Sequence, residues 1–245
     1  MKQYAASLLD AVCPNWCELC NGEIKGAGCV CTACAIELGS RFHQPFCKRC
    51  GASIGPFGSS DPCSNCPPHR PAFDCVIRVA AYEGQWRTLI KRFKYTTRRR
   101  QLELLADELA GAIQRSDLYD TIDACTVTPT CWRHRLARPF YPAEHLAALT
   151  AKRCRIPLAR LLGRRFSPHQ TGLTATARIA NVRGKFFLLP GRRLIGARIC
   201  LIDDVLTTGA TVSQCARVLK SAGAGHVCVA VLARTANHPA AIAAS

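Results

Sequence analysis

The sequence predicts an α/β protein in which helices cover a parallel sheet, with a small cysteine-rich module at the amino-terminal end. Near the other end, a short apolar run from Ile199 to Ile202 has the length and β-branched content of a buried strand. Apolar residues then recur at helical spacing from Val212 to Leu219, and a second strand follows from Val227 to Leu232. Two strands joined through such a helix lie parallel, because the crossover is right-handed.

Composition divides the chain of 245 residues into two parts. Eleven of the 17 cysteines precede Val76, and the segment from Gly55 to Pro71 is rich in proline and glycine, which exclude regular structure. We therefore expect a cysteine-rich module at 1–70 and a larger domain at 71–245.

Asp10 interrupts the first apolar stretch, and no later run reaches the length of a membrane-spanning helix, so the sequence predicts a cytoplasmic protein.

Four C-x-x-C pairs follow one another in the first 66 residues. Each pair presents two thiolates to one ion, and Zn²⁺ needs two pairs to complete a tetrahedron. An all-thiolate site leaves no open position for a substrate, so a structural zinc role is expected. The predicted metal ligands are Cys17, Cys20, Cys31, Cys34, Cys47, Cys50, Cys63 and Cys66.

Several alternatives for these cysteines stay open. The pairs can combine sequentially or interleave, because the intervals of ten, twelve and twelve residues allow both. A single zinc ion is also compatible, with the other cysteines packing as small apolar groups. A redox switch that forms disulfides is a further alternative, although a cytoplasmic chain keeps its thiols reduced. Cys13, Cys29 and Cys75 lie outside the pattern and are assigned to packing.

Between the two ends, the hydrophobic pattern predicts five further elements. A strand runs from Val76 to Tyr82, and two helices follow, with apolar faces at 86–93 and 102–113. A second strand is predicted from Thr121 to Thr128, and a helix from Glu144 to Arg153. Alternation of strands with helices is typical of an α/β sheet.

A run of basic residues lies at the end of the first of these helices. Six of the ten residues from Lys91 to Arg100 are cationic, with the rings of Phe93 and Tyr95 among them. Cations on phosphates and rings under bases would bind single-stranded DNA, and the net charge of +17 favours polyanions. The alternative is a solvated helix face whose aromatic residues belong to the core. The candidate nucleic-acid residues are Lys91, Arg92, Lys94, Arg98, Arg99 and Arg100.

The segment after the strand at 199–202 carries the residues of a sugar-phosphate site. Asp203 and Asp204 come first, and a threonine-rich loop around Gly209 then leads into the helix. Amides at the start of a helix are unpaired donors at its positive end, so they bind phosphate together with threonine hydroxyls. Gly209 lets the backbone approach the ligand closely. Two carboxylates suit hydroxyl groups or a magnesium ion near that phosphate, and a ribose 5-phosphate has this layout.

Two other interpretations of the acid pair fit the pattern less well. A carboxylate that only caps the helix accounts for one acid, but not for two acids followed by a threonine-rich loop. A nucleotide hydrolase also places acids after an apolar strand. However, the sequence lacks the G-x-x-x-x-G-K-[ST] motif with which such enzymes bind phosphate.

The segment from Leu201 to Thr211 resembles the phosphoribosyl-pyrophosphate signature of type I phosphoribosyltransferases. With a second match, Y-E-G-x-x-x-x-L-I-K-x-x-K at 82–94, nearly the whole chain resembles the ComF competence proteins of that group. The resemblance implies a type I phosphoribosyltransferase fold, with Asp203 and Asp204 as the catalytic pair on the ribose hydroxyls. It also implies Mg²⁺ bound with phosphoribosyl pyrophosphate. The implied ligand-binding residues are Asp203, Asp204, Val205, Leu206, Thr207, Thr208, Gly209, Ala210 and Thr211.

In this family, a loop after the strand predicted at 121–128 receives the pyrophosphate. The family motif R-G-F-N-Q is replaced here by R-P-F-Y-P at 138–142, where two prolines remove backbone donors. Further on, Q-x-G-L at 170–173 and R-x-x-N at 178–181 resemble the family's mobile loop, which closes over the site. The implied pyrophosphate residues are Arg133, Arg135, Arg138 and Arg178. For Arg178 the alternative is that it only balances the acid pair.

These features predict a ComF-like protein that binds phosphoribosyl pyrophosphate or a related sugar phosphate and supports single-stranded DNA uptake in natural transformation. The resemblance implies a cytoplasmic protein at or near the inner membrane, in contact with the DNA-uptake machinery. A catalytic site would make it a magnesium-dependent phosphoribosyltransferase, although no residue stands out as the recogniser of an acceptor. Two alternatives stay open: a non-catalytic nucleic-acid-binding protein that keeps the phosphate site, and a nucleotide-salvage phosphoribosyltransferase.

Overall fold

The computed structural model describes residues 15–24, 28–39, 44–55, 62–67, 70–94, 99–130, 141–165 and 184–236. Its first segment is an antiparallel hairpin of β1 (Asn15–Trp16) and β2 (Glu23–Ile24), followed by helix α1 (Thr32–Gly39). Within the ranges just given, no helix combines the length and the apolar character needed to cross a membrane.

The larger part of the chain alternates strands with helices. In chain order its elements are β3 (Cys75–Ala81), α2 (Gly84–Phe93), α3 (Arg99–Gln114), a 3₁₀ turn (Tyr119–Thr121), β4 (Ala124–Val127), α4 (Pro142–Cys154), β5 (Leu162–Arg164), β6 (Phe186–Leu188), β7 (Arg198–Leu206), α5 (Ala210–Ser221) and β8 (His226–Arg234). The central sheet has the strand order β3-β8-β7-β4, and every neighbouring pair is parallel. The predicted α/β class with a parallel sheet is confirmed.

Both faces of this sheet are covered because its strands are apolar on both sides. β7 places Leu201 in one apolar cluster and Ile202 in the other. Helices α2, α3 and α4 contribute to the cluster of Ile202, in which Trp86 and Leu105 are fully buried. Helix α5 and the antiparallel pair β5–β6 pack against Leu201 on the opposite face. Strands buried on both faces are near-continuous apolar runs, which is why the sequence reveals them.

Strand β7 is longer than the sequence predicts. The apolar run stops at Ile202, but the strand continues to Leu206, because its last residues still pair with β8. Asp203 and Asp204 therefore lie on the final part of a strand, where the ladder of backbone hydrogen bonds holds them in place.

Helix α4 begins at Pro142, one of the two prolines that depart from the family motif. A proline is favoured at the first position of a helix, because the amide it lacks has no partner there. This substitution therefore starts a helix and does not disrupt one. The strand before it is shorter than predicted, with Ala124–Val127 in place of 121–128, because the residues at 119–121 form the 3₁₀ turn.

The sheet carries a row of four cysteines, one on each strand. Cys75 pairs in register with Cys228, Cys228 with Cys200, and Cys200 with Cys125. Side-chain hydrogen bonds with Cys125 and Cys228, followed by burial, raise the pKa of the Cys200 thiol. Burial also raises the pKa of the Cys75 thiol to about 12. Both thiols are thus protonated at neutral pH, in agreement with the packing role assigned to Cys75.

Candidate functional site

The segment that joins β7 to α5 has the geometry of a phosphate-binding turn. Thr207 and Thr208 follow the strand, and Gly209 is the residue that precedes the helix. Gly209 has a φ of 76°, in the left-handed region that residues with a Cβ adopt only at a cost. The Ser213 amide donates to the Gly209 carbonyl (2.8 Å), and the Ala210 amide donates to the Thr208 hydroxyl (3.3 Å). Earlier amides of a helix have no partner within it, so this turn presents donors to an anion.

The two aspartates at the end of β7 are partly buried. The Asp203 carboxylate accepts a hydrogen bond from the Asp204 amide (2.9 Å), and the Asp204 carboxylate accepts one from the Val205 amide (2.6 Å). Burial and then the charge of Asp204 raise the pKa of Asp203 to about 7, although the Asp204 amide and the Thr128 hydroxyl favour the charged form. Near neutral pH the pair therefore retains part of a proton, which lowers its repulsion of a phosphate.

Lys94, the residue after α2, lies at the acid pair. Its Nζ is 2.7 Å from Oδ2 of Asp204. Burial disfavours the charged ammonium, but the charges of Asp204 and Asp203 outweigh it and raise the pKa of Lys94. The sequence groups Lys94 with a DNA-binding run, because a run of cations gives no sign of which member faces an acid far away in the chain. The structure places it beside the acid pair.

The rest of the basic run divides between the surface and the core. Lys91, Arg99 and Arg100 are exposed, and Arg99 forms an ion pair with Glu103 in the next turn (2.8 Å). The ring of Phe93 is 1% exposed and belongs to the core, so the hypothesis that it stacks under a base is wrong. Arg92 is partly buried, while Arg98 and Tyr95 lie outside the described residues.

The cations predicted to meet a pyrophosphate fall in segments that the structure does not describe. This holds for Arg133, Arg135 and Arg138 in the loop before α4, and for Arg178 in the segment before β6. Their roles stay predictions.

The eight predicted ligand cysteines form two separate clusters, each made of two consecutive C-x-x-C pairs. The first holds Cys17, Cys20, Cys31 and Cys34, and the second holds Cys47, Cys50, Cys63 and Cys66. Within each cluster the four sulfur atoms lie within 4.8 Å of one another, and closest pairs are 3.6 to 3.9 Å apart. The sulfurs of a zinc tetrahedron with bonds of about 2.3 Å are about 3.8 Å apart, so both clusters fit Zn²⁺. Pairing is sequential, and the cysteines are not joined as disulfides.

Both clusters are built on the same backbone turn. The amide of the first cysteine, Cys17 or Cys47, donates to a carbonyl five residues later, at 2.7 and 2.9 Å respectively. The residue after the first C-x-x-C pair of each cluster is left-handed, with a φ of 57° at Asn21 and 74° at Gly51. In the second cluster this residue is a glycine. In the first cluster Asn21 has that conformation, while Gly22 donates its amide to the Cys20 sulfur (3.4 Å).

Backbone amides directed at sulfur favour the thiolate form in both clusters. Burial opposes ionisation of Cys17, but hydrogen bonds from backbone amides, including those of Cys31 and Leu19, lower its pKa to about 6. At Cys47 burial again opposes ionisation, and amide hydrogen bonds lower the pKa to about 7. Thiolates are the form that binds zinc, so these amides favour metal binding at the first cysteine of each cluster, whereas burial raises the pKa of Cys34 and of Cys50.

A cavity of about 300 Å³ lies beside β4, the strand next to β7. Its walls include Thr126 and Pro129 on one side and the hairpin of β5 and β6 on the other, where Phe187 is 37% exposed. An ion pair between Arg160 and Glu144 (3.1 Å) borders it. The sequence did not reveal this cavity, because its walls come from four separate segments.

No protein-family model matches the chain. Competence protein F of Haemophilus influenzae is 26% identical over 225 residues, which span 89% of this chain and 96% of that protein. The DNA utilization protein YhgH of Escherichia coli is 27% identical over 237 residues, which span 91% of this chain and 98% of that protein. The protein of the same name in Salmonella typhi is 29% identical over the same lengths.

Two solved structures are similar to part of the chain. Glutamine phosphoribosylpyrophosphate amidotransferase from B. subtilis has a TM-score of 0.36 at 23% identity, covering 53% of this chain and 25% of its own. Hypoxanthine phosphoribosyltransferase from Staphylococcus aureus has a TM-score of 0.37 at 14% identity, covering 59% of this chain and 67% of its own. Over 89% to 91% of its length the chain is thus a homologue of the competence and DNA utilization proteins, which confirms the resemblance to the ComF family predicted from its motifs.

Proposed function

We propose that the chain binds phosphoribosyl pyrophosphate, or a related sugar phosphate, at residues 203–211. The observation that carries this proposal is the position of two partly buried carboxylates at a strand end, directly before a helix that starts at a left-handed glycine. The start of the helix attracts a phosphate, whereas the two carboxylates repel phosphate and suit hydroxyl groups. A pentose 5-phosphate offers both groups in one small molecule.

Each part of this site has its own role. Asp203 and Asp204 hold the ribose hydroxyls, and the turn at 207–211 holds the 5-phosphate through its amides and hydroxyls. Lys94 offsets the charge of the acid pair, so that a polyanion can approach it. Mg²⁺ bound with the substrate would neutralise pyrophosphate charge, and the carboxylate oxygens of the acid pair are the hard ligands that such an ion prefers.

The activity that this site supports best is transfer of the phosphoribosyl group to an acceptor, with loss of pyrophosphate. The chain contributes orientation of the sugar and stabilisation of charge at the reacting carbon, not a covalent nucleophile. The cavity beside β4, of about 300 Å³, has room for the acceptor.

A thermal-shift titration tests the proposal. Phosphoribosyl pyrophosphate with Mg²⁺ should raise the melting temperature of the wild type, because a ligand that binds only the folded state stabilises it. The shift should disappear in Asp204→Asn and persist in Asp120→Asn, which changes an exposed acid on the surface. An unchanged shift in Asp204→Asn, or no shift in the wild type at any ligand concentration, would contradict the proposal. Pyrophosphate release with candidate acceptors then tests catalysis.

We also propose that the chain binds single-stranded DNA, in a role that supports DNA uptake at the cytoplasmic side of the membrane. Two relatives are named for competence and for DNA utilization. The exposed cations Lys91, Arg99 and Arg100 on α2 and α3 offer phosphate contacts.

The DNA affinity should fall steeply with salt, because each phosphate contact releases a counterion. Reversing Arg98, Arg99 and Arg100 to glutamate should weaken binding and flatten the salt dependence. Asp204→Asn should leave DNA binding intact, which separates the two activities. A salt-independent affinity in the wild type would exclude this mode of binding.

We propose that each cysteine cluster holds one structural Zn²⁺, within a module at 1–70 that adjoins a phosphoribosyltransferase-like domain at 71–245. Metal analysis of the protein purified under reducing conditions should give about two equivalents of zinc. Less than one equivalent would contradict this assignment.

A further inference from the structure

Arg234, the last residue of β8, connects the second cysteine cluster to the phosphate-binding turn. Its side chain is 5% exposed. Nε donates to the carbonyl of Cys50 (3.0 Å), one of the predicted zinc ligands. Nη1 donates to the carbonyls of Leu206 (3.2 Å) and Thr207, which begin the turn. One buried guanidinium therefore bonds to the backbone of both sites.

Apolar packing joins the same two places. Gly51, directly after Cys50, lies so close to the sheet that a Cβ there would be 2.9 Å from Cγ1 of Val76 and 3.5 Å from Cδ2 of Leu206. The amide of Val76 also donates to the carbonyl of Lys48 (2.7 Å). The first C-x-x-C turn of the second cluster is thus in direct contact with the end of β7, where the phosphate-binding turn starts.

The charges near this contact are arranged for a metal-bound cluster. Arg78 is 4% exposed and lies over the ring of Phe46, 5.0 Å from its centroid, and both of its terminal nitrogens lack a hydrogen-bond partner among the described residues. Burial and the like charge of Arg234 lower its pKa to about 10, while the charge of Glu83 and then that of Cys50 act in the opposite direction. Four thiolates around one Zn²⁺ leave a net charge of −2. Two buried guanidiniums beside the cluster would compensate that charge.

The first cluster is attached elsewhere. Helix α1, which carries Cys34, packs against α2, and Nε1 of Trp86 donates to the carbonyl of Leu38 (3.3 Å). Leu38 belongs to the apolar cluster on the face of the sheet opposite to α5. The phosphate-binding turn, by contrast, leads into α5.

We propose that the second cysteine cluster, when it holds its metal, fixes the phosphate-binding turn through Arg234, and that the first cluster does not. Arg234 is then a positioning residue, which acts on the ligand through the carbonyls of Leu206 and Thr207. The inference rests on the proposed function only in naming the turn as a phosphate site; the link itself concerns backbone order.

Amide hydrogen exchange of the peptide that covers residues 206–211 tests this link without any ligand. In Cys63→Ser, exchange should be roughly 10- to 100-fold faster than in the wild type, because hydrogen bonds from a charged donor hold the turn. Cys20→Ser is the matched control, since it removes one ligand of the other cluster. It should lose about one equivalent of zinc and leave exchange at 206–211 unchanged.

Arg234→Met separates the link from the metal. It should keep both zinc ions and still show the fast exchange, while Arg234→Lys, which keeps the charge but loses the planar fork, should lie between it and the wild type. If Arg234→Met is too unstable to purify, Arg234→Lys takes its place, since it also keeps both zinc ions and cannot donate to both backbone segments through a planar fork. Equal exchange in Cys63→Ser and Cys20→Ser, or wild-type exchange in Arg234→Met, would overturn the proposal.

Ligand affinity distinguishes this failure from failure of the proposed function. Where the wild type binds phosphoribosyl pyrophosphate, Arg234→Met should bind it about tenfold more weakly. If the wild type does not bind it, the proposed function is wrong, and the exchange experiment still decides whether the second cluster orders the turn.

Discussion

The carboxyl of Asp203 is placed where ionisation is costly. It lies on a buried strand next to Asp204, and the charge of Lys94 offsets only part of the repulsion between the two acids. Burial and the charge of Asp204 raise its pKa to about 7 from an ordinary value of 3.8. A site that binds hydroxyl groups tolerates this, because a protonated carboxyl can both donate and accept a hydrogen bond.

Replacing this carboxyl should therefore remove a pH-dependent cost. Since the pKa of Asp203 is higher in the folded state, that state binds more protons between about pH 4 and 7, and wild-type stability falls as the pH rises through this window. Asp203→Asn has no carboxyl to ionise. Its free energy of unfolding should therefore exceed that of the wild type by roughly 2–4 kcal/mol above pH 7, and the difference should disappear near pH 4. Urea unfolding from pH 4 to 8 measures this. Asp120→Asn, at an exposed acid, serves as the control, and parallel curves for Asp203→Asn and wild type would show the cost to be absent.

Lys94 and Lys91 lie one turn apart and should serve different ligands. Lys94 neutralises Asp204, so Lys94→Met leaves an uncompensated acid facing a polyanionic sugar phosphate and should weaken its binding about tenfold. Lys91 is exposed, and Lys91→Met should instead weaken only the binding of single-stranded DNA. Calorimetric titration with phosphoribosyl pyrophosphate and fluorescence titration with an oligonucleotide check both. The opposite pattern would return Lys94 to the DNA-binding surface.

At the scale of elements, the site depends on how one strand stops and one helix starts. β7 ends where β8 ends, and the chain must turn within three residues before α5 begins. Gly209 makes that turn with a positive φ, and a Cβ there would meet only ordinary contacts, 3.7 Å from Cδ1 of Leu206. Glycine is therefore needed at this position for its backbone conformation, and not because a side chain would clash.

Gly209→Ala should cost about 1 kcal/mol of folding stability, because alanine disfavours this φ. It should also weaken sugar-phosphate binding by roughly 10- to 100-fold, since a relaxed turn withdraws amides from a charged group. Gly191 has a φ of 73° in open space, so Gly191→Ala should lose similar stability and keep wild-type affinity. Unfolding curves and ligand titrations of both variants give the comparison, and equal affinities would mean that the turn does not hold the ligand.

On the scale of the whole molecule, the two cysteine clusters differ in how deeply they are embedded. In the first, Cys20 is exposed and Cys31 is partly exposed. In the second, three of the four cysteines are buried, and Cys47 has no exposed surface. Metal exchange requires access to the ligands, so the two sites should release their ions at different rates.

A chelator that reports free zinc should therefore give two phases of about one equivalent each. The fast phase should be missing in Cys20→Ser, and the slow phase in Cys63→Ser. The slow phase should also coincide with loss of tertiary structure. Once the metal-bound cluster is gone, the charges of Arg78 and Arg234 are buried without a compensating negative charge. A single phase in the wild type, or loss of the slow phase in Cys20→Ser, would contradict this order.

Most features that depend on neighbouring residues could be predicted from the sequence, whereas helix α1 and the antiparallel pair β5–β6 were not predicted. The predicted features include the apolar runs of the parallel strands, the order of acid pair, threonine-rich loop and helix, and the C-x-x-C pairs, each of which depends on residues close together in the chain. The end of strand β7 was predicted wrongly, because pairing with β8 extends β7 four residues beyond its apolar run.

The contacts that give these motifs their setting were decided only by the tertiary structure. Three of them join segments that are remote in the chain. They are the sequential combination of the C-x-x-C pairs, the ion pair of Lys94 with Asp204, and the hydrogen bond of Arg234 to a carbonyl 184 residues away. A cation that binds DNA and a cation that neutralises a buried acid are the same letter in a sequence. Which one it is depends on the charges that folding brings beside it, since electrostatic interactions act through space and not along the chain.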